Sequence, residues 1–283
     1  MKLFLLIFPL LLISCSRVVL TNKIEAAKND GLKQESFFRF SSNRLETIKS
    51  KNLVDQGLIK CHQGDTSEGL EIIKSQYNND KEKPQYWNNQ GNCFFLSNDY
   101  YKALWSYNIG STKSKKLNTV AQNNIGVILL NQNNTKEALA VFSELVKKTK
   151  NLTPLFNLAH AYLEMGLIQS SNTLFKKLYH KNRNDSDFVF GLALTESLKG
   201  NYKYSSGLIR TIQDQDKDDV LFVNALNLYG LKQYEQAQLT LEKQGLVLAL
   251  NVKKSSQKLH SLIEAKIKEM EKRSQNNRAV ANK

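Results

Sequence analysis

The sequence predicts an all-α protein, a solenoid of about six helix hairpins closed by a C-terminal capping helix. Two observations lead to this fold class. The 283 residues include only 3 prolines and 13 glycines, and 41% of the chain is apolar, which favours helices joined by short turns around a sizeable core. In addition, a phrase seen as FLSNDYYKALWSY at 95–107 returns in altered form at 129, 163, 197 and 228. Recurrence at a fixed period indicates a stack of small repeated units.

The chain opens with a predicted lipoprotein signal peptide, residues 1–15. Lys2 precedes an apolar run at 3–13 that is too short to span a bilayer, since a spanning helix needs ~20 residues. The letters LISC at 12–15 resemble the bacterial lipobox, and the resemblance implies that Cys15 is acylated and begins the mature chain. A plain secreted protein cleaved nearby, or an uncleaved anchor, stays open as the alternative. Ser16 in place of Asp implies sorting to the bacterial outer membrane, facing the periplasm.

Residues 16–49 are predicted to form a tether. Polar residues predominate there, and no helical period is sustained. At ~3.3 Å per residue or less, such a segment would hold the folded part tens of ångströms from the lipid surface.

Residues 50–250 are predicted to form six hairpins, because three kinds of side chain recur in a fixed order. Aligning the phrases puts turn residues at Gly64, Asn98, Asn133, Gly166, Gly200 and Lys232. Small side chains recur five residues after and seven before each turn: Gly69, Ala103, Ala138, Ser171, Ser205 and Ala237, then Gly57, Gly91, Gly126, Ala159, Ala193 and Ala225. Others, mostly large, recur nine after and eleven before: Ile73, Tyr107, Phe142, Phe175, Ile209 and Leu241, then Leu53, Trp87, Gln122, Leu155, Val189 and Leu221. Paired small residues let antiparallel helices cross closely, and the large residues fill the space between them.

This order of large and small side chains, with a period of about 34 residues, resembles the tetratricopeptide repeat (TPR). The resemblance is clearest in Trp87-x-x-Gln90-Gly91-x-x-Phe94, followed by Ala103 and Tyr107. It implies a right-handed α-solenoid whose first helices line a concave groove. The repeats are expected at 50–83, 84–118, 119–151, 152–185, 186–217 and 218–250. Lys60 and Glu196 depart from the pattern, at a position that is normally large and apolar.

After the last repeat, residues 251–273 are predicted to form the capping helix. Its apolar stripe consists of Leu259, Leu262, Ile263, Ile267 and Met270, and 274–283 is expected to be a disordered tail. From 251 to 283 there are nine Lys or Arg and three acidic residues, a balance of 9 − 3 = +6. Together with the formal net charge of +14, this suits a polyanion, an anionic membrane surface or an acidic protein, and does not choose among them.

No catalytic or cofactor-binding motif is present. The sequence contains no phosphate loop, paired metal-binding histidines, Cys-x-x-Cys pair or nucleophile elbow, so we expect neither an enzyme nor a cofactor. The acidic run at 214–219 lacks the Gly and the Glu of a calcium loop and is interpreted as a repeat-joining loop and helix cap. Cys61 and Cys93 lie on first helices of adjacent repeats. Export would permit a disulfide, but their unequal positions within the repeat favour two buried thiols.

The sixth residue of each repeat supplies the candidate binding site. Asn89, Asn124 and Asn157 stand there in three consecutive repeats, and an exposed Asn can make paired hydrogen bonds to a peptide unit. The row resembles the asparagine ladder in the repeat domain of O-linked GlcNAc transferase, although the high Asn content of the chain is an alternative explanation. Phe190 and Phe222 head an apolar stretch expected to form the other half of the groove, unless the C-terminal helix covers it. The basic side chains of a carboxylate clamp are missing from the corresponding inner positions.

These features favour a non-enzymatic scaffold. Six repeats behind a lipobox resemble the architecture of type IV pilus pilotins, and lipoproteins of β-barrel assembly and scaffolds for peptidoglycan hydrolases share it. The expected partners are envelope proteins, bound in the groove, and the membrane, bound through the lipid anchor. Nucleic acid is not expected. The alternative is a structural protein that binds an anionic envelope polymer, or regulates peptidoglycan enzymes, through its basic surface.

Overall fold

The computed structural model describes residues 50–116, 118–244 and 250–281. Within them the chain forms fourteen α-helices and no strand, which confirms the predicted all-α repeat architecture. The predicted signal peptide with Cys15 and the predicted tether lie outside the described residues.

The helices alternate as first and second members of hairpins, apart from the short α3 and the terminal α14. In chain order they are α1 (Leu53–His62), α2 (Thr66–Ser75), α3 (Tyr77–Asp80), α4 (Pro84–Leu96), α5 (Tyr100–Thr112), α6 (Thr119–Asn131), α7 (Thr135–Lys148), α8 (Leu152–Glu164), α9 (Ile168–Lys181), α10 (Ser186–Leu198), α11 (Tyr202–Ile209), α12 (Asp218–Gly230), α13 (Tyr234–Glu242) and α14 (Leu250–Ala281).

The predicted turn residues close the first helix of every hairpin. The positive φ angles of the described residues fall at the six predicted positions: 97° at Gly64, 62° at Asn98, 63° at Asn133, 76° at Gly166, 86° at Gly200 and 64° at Lys232. A residue in this left-handed conformation lets the next amide reach back to the helix, as when the Asp99 N–H donates to the Phe94 carbonyl at 2.9 Å. The six turns therefore lie where the sequence pattern predicts them.

The small residues on either side of each turn lie where the two helices cross. A Cβ placed on Gly91 would lie 2.5 Å from the ring of Tyr107, and one on Gly126 would lie 2.7 Å from the ring of Phe142. Both rings are fully buried. In these two hairpins the space above a small residue is filled by a large one from the other helix. Leu53 departs from the prediction, because its side chain is half-exposed instead of filling the first hairpin.

The described chain divides into two compact units, residues 50–165 and 166–281. In the amino-terminal unit the first helices α1, α4, α6 and α8 stack in order, and α2, α5 and α7 pack against them. Tyr86, Tyr107 and Phe142 are among its largest fully buried side chains. The stack therefore shares one core, as expected for hairpins too small to bury their own apolar faces.

In the carboxyl-terminal unit α9 packs against α10, and the first helices α10 and α12 are neighbours. The long α14 packs on α12 and α13 and buries Leu259 and Ile263. It continues to Ala281, so the tail expected to be disordered from 274 is helical as far as that residue. Within the described residues, no helix combines the length and apolarity that crossing a bilayer requires.

Cys61 and Cys93 form a disulfide, with their Cα atoms 5.4 Å apart. The preference for two thiols, which rested on their unequal positions in the repeat, is wrong. A Cβ on Gly69 would lie 2.3 Å from the sulfur of Cys61, so the bare backbone of α2 leaves this sulfur room to reach α4. The bridge joins the first helices of the first two hairpins.

Candidate binding surface on the first helices

The stacking of α1, α4, α6 and α8 places Asn89, Asn124 and Asn157 against the first helix of the preceding repeat. The Nδ2 of Asn89 donates a hydrogen bond to the Oδ1 of Asp55, the equivalent residue one repeat earlier, at 2.9 Å. The Oδ1 of Asn89 accepts from Gln85 on its own helix. The first rung of the predicted row is therefore an amide–carboxylate contact between neighbouring helices.

The next two rungs use asparagines that the sequence analysis did not select. The Nδ2 of Asn124 donates to the Oδ1 of Asn92 at 2.7 Å, and the Nδ2 of Asn157 donates to the Oδ1 of Asn123 at 2.9 Å. Asn123 in turn donates to Asn124 at 3.0 Å, within α6. Side-chain amides thus link three first helices in one network. A network of this kind fixes the register of the helices when all its members are satisfied.

The structure contradicts the expectation that this row is exposed. Asn89, Asn124 and Asn157 are each 0% exposed. The cause is the short distance between stacked first helices, over which one amide can reach the next, so these polar groups gain hydrogen bonds on burial. Contact between these residues and a partner's backbone stays a prediction.

A second amide contact joins α4 to the start of α6. Asn88 and Asn118 exchange two hydrogen bonds, at 3.1 and 3.0 Å, and both residues are buried. The Oδ1 of Asn118 also accepts from the Ala121 N–H and so caps α6. One signal for the network was present in the sequence, where the pair Asn88-Asn89 returns one repeat later as Asn123-Asn124.

The apolar half of the predicted groove is also buried. Phe190 on α10 and Phe222 on α12 are each 4% exposed, so the expectation of an exposed patch is wrong for both. Every residue of α10 from Asp187 onward is buried, and α12 has α10, α13 and α14 around it. Covering by the C-terminal helix, the alternative left open by the sequence, matches the contacts of α12.

Glu196 breaks the apolar pattern of the repeat, and its charge is compensated inside the carboxyl-terminal unit. Its Oε1 accepts from the Nδ2 of Asn172 at 2.9 Å and pairs with the Nζ of Lys176 at 3.0 Å, while Lys199 lies 3.6 Å away. Asn201 donates to the other oxygen. Burial alone would raise the pKa of Glu196, but the hydrogen bonds from Asn201, Asn172 and Lys176 outweigh it and lower the pKa to about 2.

A shallow cleft of about 530 Å³ opens beside this carboxylate. Its lining residues are Lys176, Glu196, Gly200, Asn201, Tyr202, Lys203, Tyr204 and Leu231. Tyr204 and Leu231 are among the large side chains that remain exposed. We call this site the Glu196 cleft. Two lysines, aromatic rings and an exposed leucine give it the mixed basic and apolar character of a surface that contacts another protein.

Metal binding finds no support in the residues that the structure describes, where no three His, Cys, Asp or Glu side chains are grouped to hold an ion. His160 on α8 is buried against the ring of Phe156, with the ring centroids 4.6 Å apart. This burial lowers the pKa of His160 to about 3, so the imidazole is neutral at physiological pH.

The chain resembles solved TPR proteins. A tetratricopeptide repeat protein from Parabacteroides merdae matches with a TM-score of 0.56 at 18% identity, over 75% of this chain and 83% of that one. The Cut9–Hcn1 hetero-tetramer of APC/C matches with a TM-score of 0.65 at 14% identity, over 79% of this chain and 44% of that one. No protein-family model matches the sequence, and no curated protein matches it. At these identities the likeness establishes the fold, a TPR-type stack of helix hairpins.

Proposed function

We propose that this chain is a non-enzymatic, lipid-anchored scaffold that binds a protein segment at the bacterial outer membrane while an envelope machine is assembled. The observation that carries the proposal is the TPR-type hairpin fold, in which side-chain hydrogen bonds join the first helices α1, α4, α6 and α8 of the amino-terminal unit. Such a stack offers a surface that is formed before a partner arrives, which lowers the conformational cost of binding. TPR folds in general serve as protein-interaction surfaces.

The disulfide supports the exported location. Disulfides persist in oxidising compartments such as the periplasm and are rare in the cytosol. The Cys61–Cys93 bridge therefore agrees with a chain that follows its signal peptide across the inner membrane. Acylation of Cys15 would then hold the stack at the membrane, on the segment 16–49.

Partner contact is proposed at the Glu196 cleft. Here Lys203 makes no ion pair with any described residue, and the side chains of Tyr204 and Leu231 reach solvent. An unpaired cation beside exposed aromatic and aliphatic groups suits an amphipathic segment that carries a carboxylate. Phe190 and Phe222 support the packing of α10 and α12, and the asparagine row holds the register of the amino-terminal unit.

The test is photo-crosslinking in the native envelope. A photoreactive residue replaces Tyr204 in one variant and Leu239, an exposed side chain of α13 outside the cleft, in the control. We expect a discrete adduct from position 204 that disappears when Lys203→Glu is added. Adducts of equal yield from both positions, or an adduct unaffected by Lys203→Glu, would remove the cleft from the proposal.

The basic surface favours a second candidate function, binding of an anionic envelope polymer. Residues 271–277 at the end of α14 are all exposed, and they include Lys272 and Arg273. Polymer binding through such a surface weakens steeply as salt screens the charges, whereas an amphipathic segment in a cleft is less affected. Binding to purified anionic glycan that is lost at high salt, with no adduct at position 204, would favour this candidate.

A further inference from the structure

The helices α3 and α5 carry three large aromatic side chains that remain exposed. Tyr101 is 82% exposed, Trp105 52% and Tyr77 45%. The Trp105 ring lies edge-on to Trp87 with a centroid distance of 5.6 Å, and Trp87 is 6.3 Å from Tyr77. Tyr101 lies one turn before Trp105 on α5, so both rings share a face of the helix. We call Tyr77, Tyr101 and Trp105 the outer aromatic face.

Lysines rim this face. The Nζ of Lys81 lies 5.4 Å from the centre of the Tyr77 ring. The Nζ of Lys113, just after α5, pairs with Glu82, just after α3, at 2.7 Å, so the ends of these two helices are neighbours. Lys115 and Lys116 follow in the exposed loop. Between 77 and 116 there are six lysines and three acidic residues, a balance of 6 − 3 = +3.

The excess charge is not compensated by ion pairs. Each of the three acidic side chains forms an ion pair with one lysine, in the pairs Lys83–Asp80, Lys102–Asp99 and Lys113–Glu82. Lys81, Lys115 and Lys116 form no ion pair with any residue that the structure describes. The face therefore combines exposed indole and phenol rings with three cations that form no ion pair among the described residues.

We propose that the outer aromatic face docks on the anionic headgroups of a lipid bilayer. Tyr and Trp suit the membrane–water boundary because each ring is apolar at one end and hydrogen-bonding at the other. Lysines close to an anionic leaflet add attraction to its surface potential. The chemistry of the face is therefore complementary to anionic lipid.

The proposal rests on the lipid anchor of the proposed function, because the anchor keeps the outer aromatic face at a high local concentration near the bilayer. The predicted tether, 16–49, comprises 34 residues, and a random coil of that length has an end-to-end distance of roughly 30 Å. Tethering at that range makes docking an intramolecular step, so a face with weak affinity of its own is occupied. Docking would orient the hairpin stack against the membrane instead of leaving it to swing on the tether.

Fluorescence quenching tests the docking, because the chain has only 2 tryptophans. The acylated full chain is reconstituted in phosphatidylcholine vesicles with or without phosphatidylglycerol, and each composition is prepared with brominated and with unbrominated acyl chains. Bromine quenches indole rings that reach the acyl boundary. We expect the parent to lose emission in the phosphatidylglycerol vesicles, and the Trp105→Phe variant, which retains the buried Trp87, to show no such loss.

Three variants separate the contributions. Tyr101→Ala removes an exposed ring without touching the core and should reduce the quenching. Tyr204→Ala removes an exposed tyrosine from α11 and should leave it unchanged. Replacing Lys115 and Lys116 together by Ala should weaken the docking equilibrium roughly thirtyfold, and salt at high concentration should do the same.

The outcomes distinguish the face from the anchor. Flotation of the chain with vesicles reports the anchor, and quenching reports docking. If the chain floats with the vesicles but the parent and Trp105→Phe show the same quenching, the docking proposal is overturned and the lipid anchor is retained. If the chain does not float, the lipid anchor is refuted. The chain is then titrated with the same vesicles to high lipid concentration, and an absence of Trp105 quenching there overturns the docking proposal. Equal quenching in unbrominated and brominated vesicles, or a Trp105 response to soluble glycan fragments alone, would also overturn it.

Discussion

The crossing of α1 and α2 gives a sharp test of the hairpin geometry. A Cβ on Gly57 would lie 2.6 Å from the carbonyl oxygen of Gly69 and 2.7 Å from the Cγ1 of Ile73. Ordinary contact begins at 3.4 Å, so Gly57→Ala requires α1 and α2 to separate by about 0.8 Å (3.4 − 2.6). The obstacle is backbone, and it cannot turn aside as a flexible side chain can. Overpacking of this kind costs ~1–3 kcal/mol, and we expect the upper part of that range.

The same change also favours the helix by ~1 kcal/mol, because Ala has the higher propensity. The net loss expected for Gly57→Ala is therefore ~1–2 kcal/mol. Gly207 provides the control, since it is also inside a helix but a Cβ there would meet nothing within 4 Å. Gly207→Ala should stabilise by ~0.5–1 kcal/mol, so the two substitutions are expected to have opposite signs.

Urea unfolding measures both effects. Emission from Trp87 and Trp105 reports the amino-terminal unit, which contains Gly57, and far-ultraviolet circular dichroism reports the helices of the whole chain. The disulfide is kept oxidised in every sample. If Gly57→Ala proves as stable as the parent, or gains stability as Gly207→Ala does, the close crossing of α1 and α2 is refuted, together with the reasoning on small residues at the turns.

Three further predictions concern the anchor, the amide network and pH. Cys15→Ala should move the chain from the membrane fraction to the soluble fraction and change its electrophoretic mobility, and an unchanged distribution would contradict the lipobox. Changing Asn89, Asn124 and Asn157 together to Ala should lower the free energy of unfolding by ~1.5–4.5 kcal/mol, because each substitution removes an amide that links two helices, at ~0.5–1.5 kcal/mol per hydrogen bond. A urea midpoint equal to the parent's would mean that the network contributes nothing to stability. The pKa of Glu196 is about 2 against a usual 4.5, so its ionised form stabilises the fold above pH 4.5, and this contribution disappears as the pH falls toward 2. Glu196→Gln should therefore flatten the dependence of unfolding free energy on pH between 4.5 and 2. Parallel pH profiles for the parent and the variant would refute the lowered pKa.

The sequence predicted the repeat register because the backbone demands it. Asn98, Asn133 and Lys232 stand where the chain must adopt a positive φ, and small and large residues recur at fixed distances from them. These requirements are local to one hairpin and therefore leave a periodic trace. The capping helix was predicted on the same grounds, since its apolar stripe faces the last hairpin.

The candidate site was less predictable, because it depends on how neighbouring repeats stack. Nothing local to one repeat tells whether Asn124 faces solvent or reaches Asn92 on the adjacent helix. Side-chain exposure follows from the distance between first helices, which the spacing of turns does not fix. The Cys61–Cys93 bridge was missed for the same reason, since unequal positions in the repeat still meet when a glycine leaves room between helices.

The different acceptors at the three junctions have a consequence for how the array can change in length. Asn89 donates to the sixth residue of the preceding repeat, Asn124 to the ninth and Asn157 to the fifth. A duplicated third repeat would place the second copy of Asn124 opposite Val127, whose side chain has no acceptor to replace that of Asn92. Each junction is therefore specific to the two repeats that form it, and whole hairpins of this region are not interchangeable units of length.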